Sequence, residues 1–132
     1  MITWIEVNRS AIEHNISEYR KIIGNNVLLM PVIKGNAYGH GFDELAEICN
    51  SNREVDRICV VNSSEALRLA ELFSSKNNKK LTKPVQILSF YELDEDLLTE
   101  LVNKIDKIIF PVYTKKQLEV RNRAGKRVNK KI

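Results

Sequence analysis

Two rhythms of apolar and polar positions alternate along this chain of 132 residues. Short β-branched runs read as strands, and longer stretches with apolar residues at helical spacing read as helices. Residues 3–7 predict a short opening strand. Ser10, with Glu13 three places on, makes a capping box that starts a helix. Its inner face carries Ala11, Ile12, Ile16, Tyr19 and Ile23, and Gly24 with Asn25 stops it. Residues 27–33 are a continuous apolar run, the signature of a strand buried on both sides. Pro31 lies within it and cannot donate to a ladder, which predicts a bulge or an unpaired position there.

Beyond this point strand and helix alternate. A helix over about 42–49 turns Phe42, Leu45, Ala46 and Cys49 to one side. A strand over 58–61 follows. Asn62 and Ser63 cap a helix over 65–73 whose face is Ala66, Leu69, Ala70 and Phe73. Residues 74–83 are polar and lysine-rich, and read as a surface loop. A strand over 85–89, a helix over about 95–103 (Leu97, Leu98, Leu101, Val102) and a strand over 107–112 come next. Thr114 with Gln117 forms a second capping box, opening a helix that ends near Gly125. Residues 128–132 are a candidate for one more strand. Strands separated by helices of this length imply parallel pairing through right-handed crossovers. The pattern is an α/β fold, either an open sheet or part of a (β/α)8 barrel.

The length sets one domain-sized unit, and a hydrophobic share of 43% is ordinary for a soluble globular chain. No run approaches the ~20 apolar residues of a membrane span, and the N-terminus lacks a signal-peptide pattern. A cytoplasmic protein is the simplest expectation. Cys49 and Cys59 read as buried thiols rather than a disulfide, and they make no zinc spacing with His14 and His40, so no metal is expected. The net charge is +4, with Arg121, Arg123, Lys126, Arg127, Lys130 and Lys131 crowded near the end. With no aromatic platform beside it, this cluster reads as a solvated helix end and tail, and nucleic acid is not an expected partner.

The chemistry concentrates in Val32-Ile33-Lys34-Gly35-Asn36-Ala37-Tyr38-Gly39-His40-Gly41. A lysine leaves an apolar run and enters a turn rich in glycine. A lysine so placed is a candidate neutral amine, able to attack an aldehyde and form a Schiff base. The glycines allow a sharp turn and close approach to a ligand. Tyr38 offers a ring and a hydroxyl, while Asn36 and His40 are expected to hold the turn through side-chain hydrogen bonds. Trp4 is expected in a core or an interface.

This stretch resembles the pyridoxal-phosphate (PLP) attachment motif of the alanine racemase family, which usually has Ala at the position of Gly35. The resemblance extends upstream to Thr3-Trp4-Ile5-Glu6-Val7 and to Ala11-Ile12-Glu13-His14-Asn15-Ile16, and downstream to Ser64-Glu65-Ala66-Leu67-Arg68-Leu69. It implies a partial (β/α)8 TIM-type barrel, about the first four β/α units, preceded by an N-terminal strand and helix. Residues 1–132 would be the N-terminal half of a PLP-binding barrel, with the other half and a β domain absent. It further implies Lys34 as the catalytic lysine that carries pyridoxal 5'-phosphate as an internal aldimine, and Tyr38 as a hydroxyl on the cofactor phosphate. The parent activity would be interconversion of L- and D-alanine, which feeds bacterial cell-wall synthesis, in a homodimer. Carried over residue by residue, the family supplies only Lys34 and Tyr38. The second acid–base residue and the partner of the pyridine nitrogen have no counterpart, so this chain is expected to be inactive alone. Alternatives are a racemase for another amino acid, a non-catalytic PLP-binding or structural remnant, and a nucleic-acid-binding fragment. A lysine–PLP absorption band separates the last from the others, and racemisation assays separate enzyme from remnant.

Overall fold

The structure, a computed structural model, describes residues 3–74, 79–89 and 93–130. In chain order its elements are α1 (Arg9–Ile23), α2 (Lys34–Tyr38), α3 (Phe42–Ser51), β1 (Ile58–Val60), α4 (Ser63–Leu72), β2 (Val85–Ile87), α5 (Glu95–Lys104), β3 (Ile108–Ile109) and α6 (Lys115–Arg127). The strands form one parallel sheet in the order β1-β2-β3, with Val85 opposite Ile58 on one side and Ile108 on the other. Each crossover is a helix, as the alternating pattern requires.

A fourth extended segment runs along the other side of β1. Val32 and Cys59 make a parallel bridge. The Cys59 amide donates to the Pro31 carbonyl at 2.9 Å, and the Ile33 amide donates to the Cys59 carbonyl at 3.0 Å. The strand expected over 27–33 is thereby reduced to one bridge. Pro31 brings a carbonyl but no N–H, and no described segment lies beyond to pair the outer side. The expected burial on both sides is also corrected: Ile33 is buried, residues 29–32 are half-buried, and Val27 and Leu28 are exposed.

Packing explains why these strands are short but fixed. Ile58, Val60, Val85 and Ile87 are fully buried, against a helix layer that contributes Ala46, Ala66, Leu69, Leu98 and Leu101. Strand alternation sends Cys59 and Gln86 to the opposite face. There the Arg57 guanidinium donates to the Gln86 carbonyl oxygen at 3.0 Å. Asn62 caps α4 by accepting from the Glu65 amide, and Thr114 with Gln117 forms the expected capping box on α6. The loop before β2 is pinned by Asn50, which accepts from the Thr82 amide at 2.8 Å and donates to the Lys80 carbonyl at 2.9 Å. Residues 75–78 of that expected loop lie outside the described residues.

Five expectations change near the ends. Residues 3–7 pair with no described strand, and Trp4 is 75% exposed, so it is not a core residue; its indole N–H donates to Glu6. Helix α1 begins before Ser10: Asn8 is the cap, accepting from the Ala11 amide at 3.0 Å, and Glu13 pairs with Arg9 instead of closing a box. On the expected inner face of α1, Ile16 is buried and Ile12 packs on the core, while Ala11 and Tyr19 are exposed. Residues 128–130 form a turn rather than a strand, with the Lys130 amide donating to Gly125 at 2.9 Å; residues 131 and 132 lie outside the described residues.

Within the described part of the basic C-terminal cluster, Arg123 and Arg127 stay exposed but have acidic partners, as does the half-buried Lys130, while Lys131 lies outside the described residues. Arg123 pairs with Glu95 at 2.9 Å, Arg127 with Asp96 at 2.7 Å and Lys130 with Asp106 at 3.1 Å. Arg121 is buried, donates to the Pro111 carbonyl and lies over the Phe110 ring. No helix among the described residues is long and apolar enough to cross a membrane.

Candidate active site

Lys34 follows immediately on the segment that borders β1, at the end of the sheet from which the strands leave. In parallel α/β folds this end collects the loops that carry chemistry. The chain there makes a turn of unusual hand. Gly35, Asn36, Ala37, Tyr38 and Gly39 all have positive φ, between 53° and 94°. The Ala37 amide donates to the Ile33 carbonyl at 2.9 Å, so the turn is a single left-handed helical turn. Consecutive left-handed residues are costly for side chains with a Cβ, and only firm anchoring sustains them.

Those anchors are visible. Asn36 accepts from the Phe42 amide at 2.9 Å through its side chain, and through its carbonyl from the Gly39 and Gly41 amides at 3.1 Å. Asn36 thus joins the turn to the start of α3, where Phe42 is buried. His40 places Nδ1 3.0 Å from the Ala37 carbonyl. Both residues hold the turn, as expected. Ala37 is buried beneath it.

Lys34 is half-buried and Tyr38 is 67% exposed. The Lys34 Nζ lies 6.0 Å from the centre of the Tyr38 ring. The two residues singled out by the motif therefore share one short turn. No ion pair involves Lys34 among the described residues, so its amine is not committed to a carboxylate there.

One residue at this site escaped the sequence reading. Glu65, at the start of α4, accepts from the Gly35 amide at 2.8 Å and from the Val61 amide at 2.8 Å. Its place three residues after the Asn62 cap is the only local signal, and that signal alone suggests a capping box rather than a bond to the lysine turn. Both thiols are free and buried. Burial pushes the Cys49 thiol up to about 11 and raises that of Cys59 as well. Neither is suited to act as a thiolate nucleophile. Among the described residues no group of three or more His, Cys, Asp or Glu side chains could hold a metal ion.

The alanine racemase N-terminal domain family matches residues 7–132. The alanine racemase of Methanococcus maripaludis is 36% identical over 107 residues, which are 81% of this chain and 26% of that protein. Alanine racemase 2 of Caldanaerobacter subterraneus is 35% identical over 127 residues, 95% of this chain and 30% of that protein. Among solved structures, the alanine racemase of Clostridium difficile 630 in complex with cycloserine superposes with a TM-score of 0.82 at 23% identity, covering 99% of this chain and 33% of that one. That likeness speaks to fold. The chain spans about a quarter to a third of the length of these relatives. A match over residues 7–132, nearly the whole chain, settles the family: the chain belongs to the alanine racemase N-terminal domain family.

Proposed function

We propose that residues 1–132 form the N-terminal half of a PLP-binding (β/α)8 barrel of an alanine racemase, with Lys34 as the cofactor lysine and Tyr38 as a phosphate-binding hydroxyl. The observation that carries this reading is the position of Lys34, directly after the segment paired with β1 and on one left-handed turn with Tyr38. The donor set fits the group in part. A primary amine suits the cofactor aldehyde, and a phenol hydroxyl suits one phosphate oxygen. PLP, when bound, supplies an electron sink that eases removal of the α-proton of an amino acid.

The chain's own residues have separate tasks in this reading. Ile33 and Gly35, on either side of Lys34, have their amides fixed, so the lysine leaves the backbone in a set direction. The Lys34 amine would hold the cofactor, and its Nζ would be the group that takes or returns the α-proton on one face. Tyr38 orients the phosphate end. Proton transfer on the other face needs a second acid–base group, and the family motif carries none onto this chain. The whole enzyme would be a cytoplasmic homodimer acting on alanine.

The test is incubation with PLP, borohydride reduction and peptide mapping. The expected result is a weak adduct concentrated on Lys34 and abolished in Lys34→Ala. Labelling spread evenly over surface lysines would overturn the assignment. The 132-residue chain alone should racemise alanine negligibly, since losing one catalytic acid or base typically costs about 10²–10⁴-fold. Turnover at an ordinary enzyme's rate would contradict the division of tasks.

A further inference from the structure

We propose that Glu65 is a positioning residue for Lys34, acting as the cap of the left-handed turn that carries it. This rests on the reading of Lys34 as the cofactor lysine and adds the group that sets its geometry.

A single helical turn leaves its first amides without partners inside the turn, whatever its hand. Here the Ala37 amide closes the turn onto Ile33, and the Gly35 amide has no such acceptor within it. Glu65 supplies one from another element, with Oε1 2.8 Å from the Gly35 nitrogen. Its other oxygen, Oε2, accepts from the Val61 amide at 2.8 Å, just past the end of β1. One carboxylate therefore links the lysine turn to the neighbouring strand. The base of that link is rigid, because the Glu65 amide donates to Asn62 Oδ1 at 3.0 Å and Ala66 next to it is fully buried.

The consequence for Lys34 follows from its neighbours. The amide before it, on Ile33, is bonded to the Cys59 carbonyl at 3.0 Å, and the amide after it is bonded to Glu65. The Lys34–Gly35 peptide is thus tied to the exit of β1 through Glu65, and the Val32–Ile33 peptide, one unit before Lys34, is tied to β1 itself. Charge-assisted bonds to a carboxylate are the stronger kind. Among the described residues Glu65 makes no ion pair, so its charge is directed at backbone amides and not at the lysine ammonium. An amine that must react with an aldehyde is better left without a carboxylate partner, which would hold it protonated.

The experiment compares the full chain with Glu65→Ala, Glu65→Gln and Asn62→Ala. Asn62→Ala weakens the start of α4 but leaves the Glu65 carboxylate, and so controls for the cost to the helix. Hydrogen exchange is read at the Gly35 and Val61 amides, and selectivity of the borohydride-fixed PLP adduct is read at Lys34. In Glu65→Ala, exchange at both amides should accelerate about tenfold or more relative to Asn62→Ala, and the Lys34 share of labelling should fall severalfold. Glu65→Gln keeps one acceptor oxygen and should restore protection at only one of the two amides. Unchanged exchange at Gly35 in Glu65→Ala would overturn the proposal, as would an unchanged Lys34 share of labelling in Glu65→Ala. A wild-type chain with no Lys34 adduct would instead sink the reading of Lys34, and the exchange results would then decide the Glu65 cap by themselves.

Discussion

The Arg20 guanidinium in α1 donates to the Asp56 carboxylate at 2.5 Å, across 36 residues of sequence. The same side chain donates to the carbonyls of Gly24, Val27 and Glu54, and the same Asp56 oxygen accepts from the Leu29 amide at 2.7 Å. One arginine and one aspartate thus attach the first helix and the segment leading to Lys34 to the approach to β1. Arg20→Ala should cost about 1–3 kcal/mol, because several backbone acceptors lose their donor together. Chemical denaturation of the variant checks this.

The pH dependence of that node follows from Asp56. The Leu29 amide, and then Arg20, hold its carboxyl below the ordinary aspartate range, against the opposing effect of burial. A carboxyl lowered in the folded state stabilises it above the unfolded value of about 3.9, and the contribution disappears as pH falls through the folded value. The stability difference between wild type and Asp56→Asn should therefore be steady near neutrality and shrink below about pH 4. A difference that grows on acidification would contradict the assignment.

The lysine turn predicts an unusual cost for a small change. A Cβ on Gly35 would meet no atom within 4 Å, yet φ there is +58°. Gly35→Ala, which makes the family's usual residue, should fit sterically and still destabilise this chain by about 1 kcal/mol, the left-handed penalty less the gain from a stiffer unfolded chain. Thermal melts of the two proteins give the sign.

The thiols offer a direct measure of the core. With Cys49 pushed up to about 11 and both cysteines buried, neither should react with a thiol reagent at pH 8 at a free cysteine's rate. Reaction should accelerate in parallel with unfolding as denaturant is added. Rapid modification of Cys49 in the native chain would mean that the layer between α3 and β1 opens readily.

Local chemistry made much of this fold legible. Thr114 with Gln117, the stop at Gly24 and the apolar faces of α3, α4 and α5 are each set within a few residues, and each formed as expected. Pairing was less legible because it depends on neighbours. Residues 3–7 have strand composition but no described partner, and residues 27–33 met Pro31 and an unpaired outer side. That Lys34 and Tyr38 share one turn was legible because the segment is encoded contiguously. Glu65 could not, since its partner lies 30 residues away and capping a helix would have explained it equally well.

The far edge of the sheet is open among the described residues. β2 pairs with β3 on one side, and no described strand pairs with the other side of β3. Beside that edge lies a groove of about 230 Å³ lined by Ile108, Ile109, Phe110, Val112, Leu118 and Arg121. Val112 is 52% exposed and Leu118 47%. An apolar edge of this kind invites another chain. The 132-residue chain should therefore self-associate as its concentration rises, most simply into a dimer. Val112→Lys with Leu118→Lys should shift it toward monomer without loss of folding, since both side chains lie outside the buried core. Light scattering across a concentration series checks both. A wild-type chain that stays monomeric and folds cooperatively throughout would show that this edge does not associate.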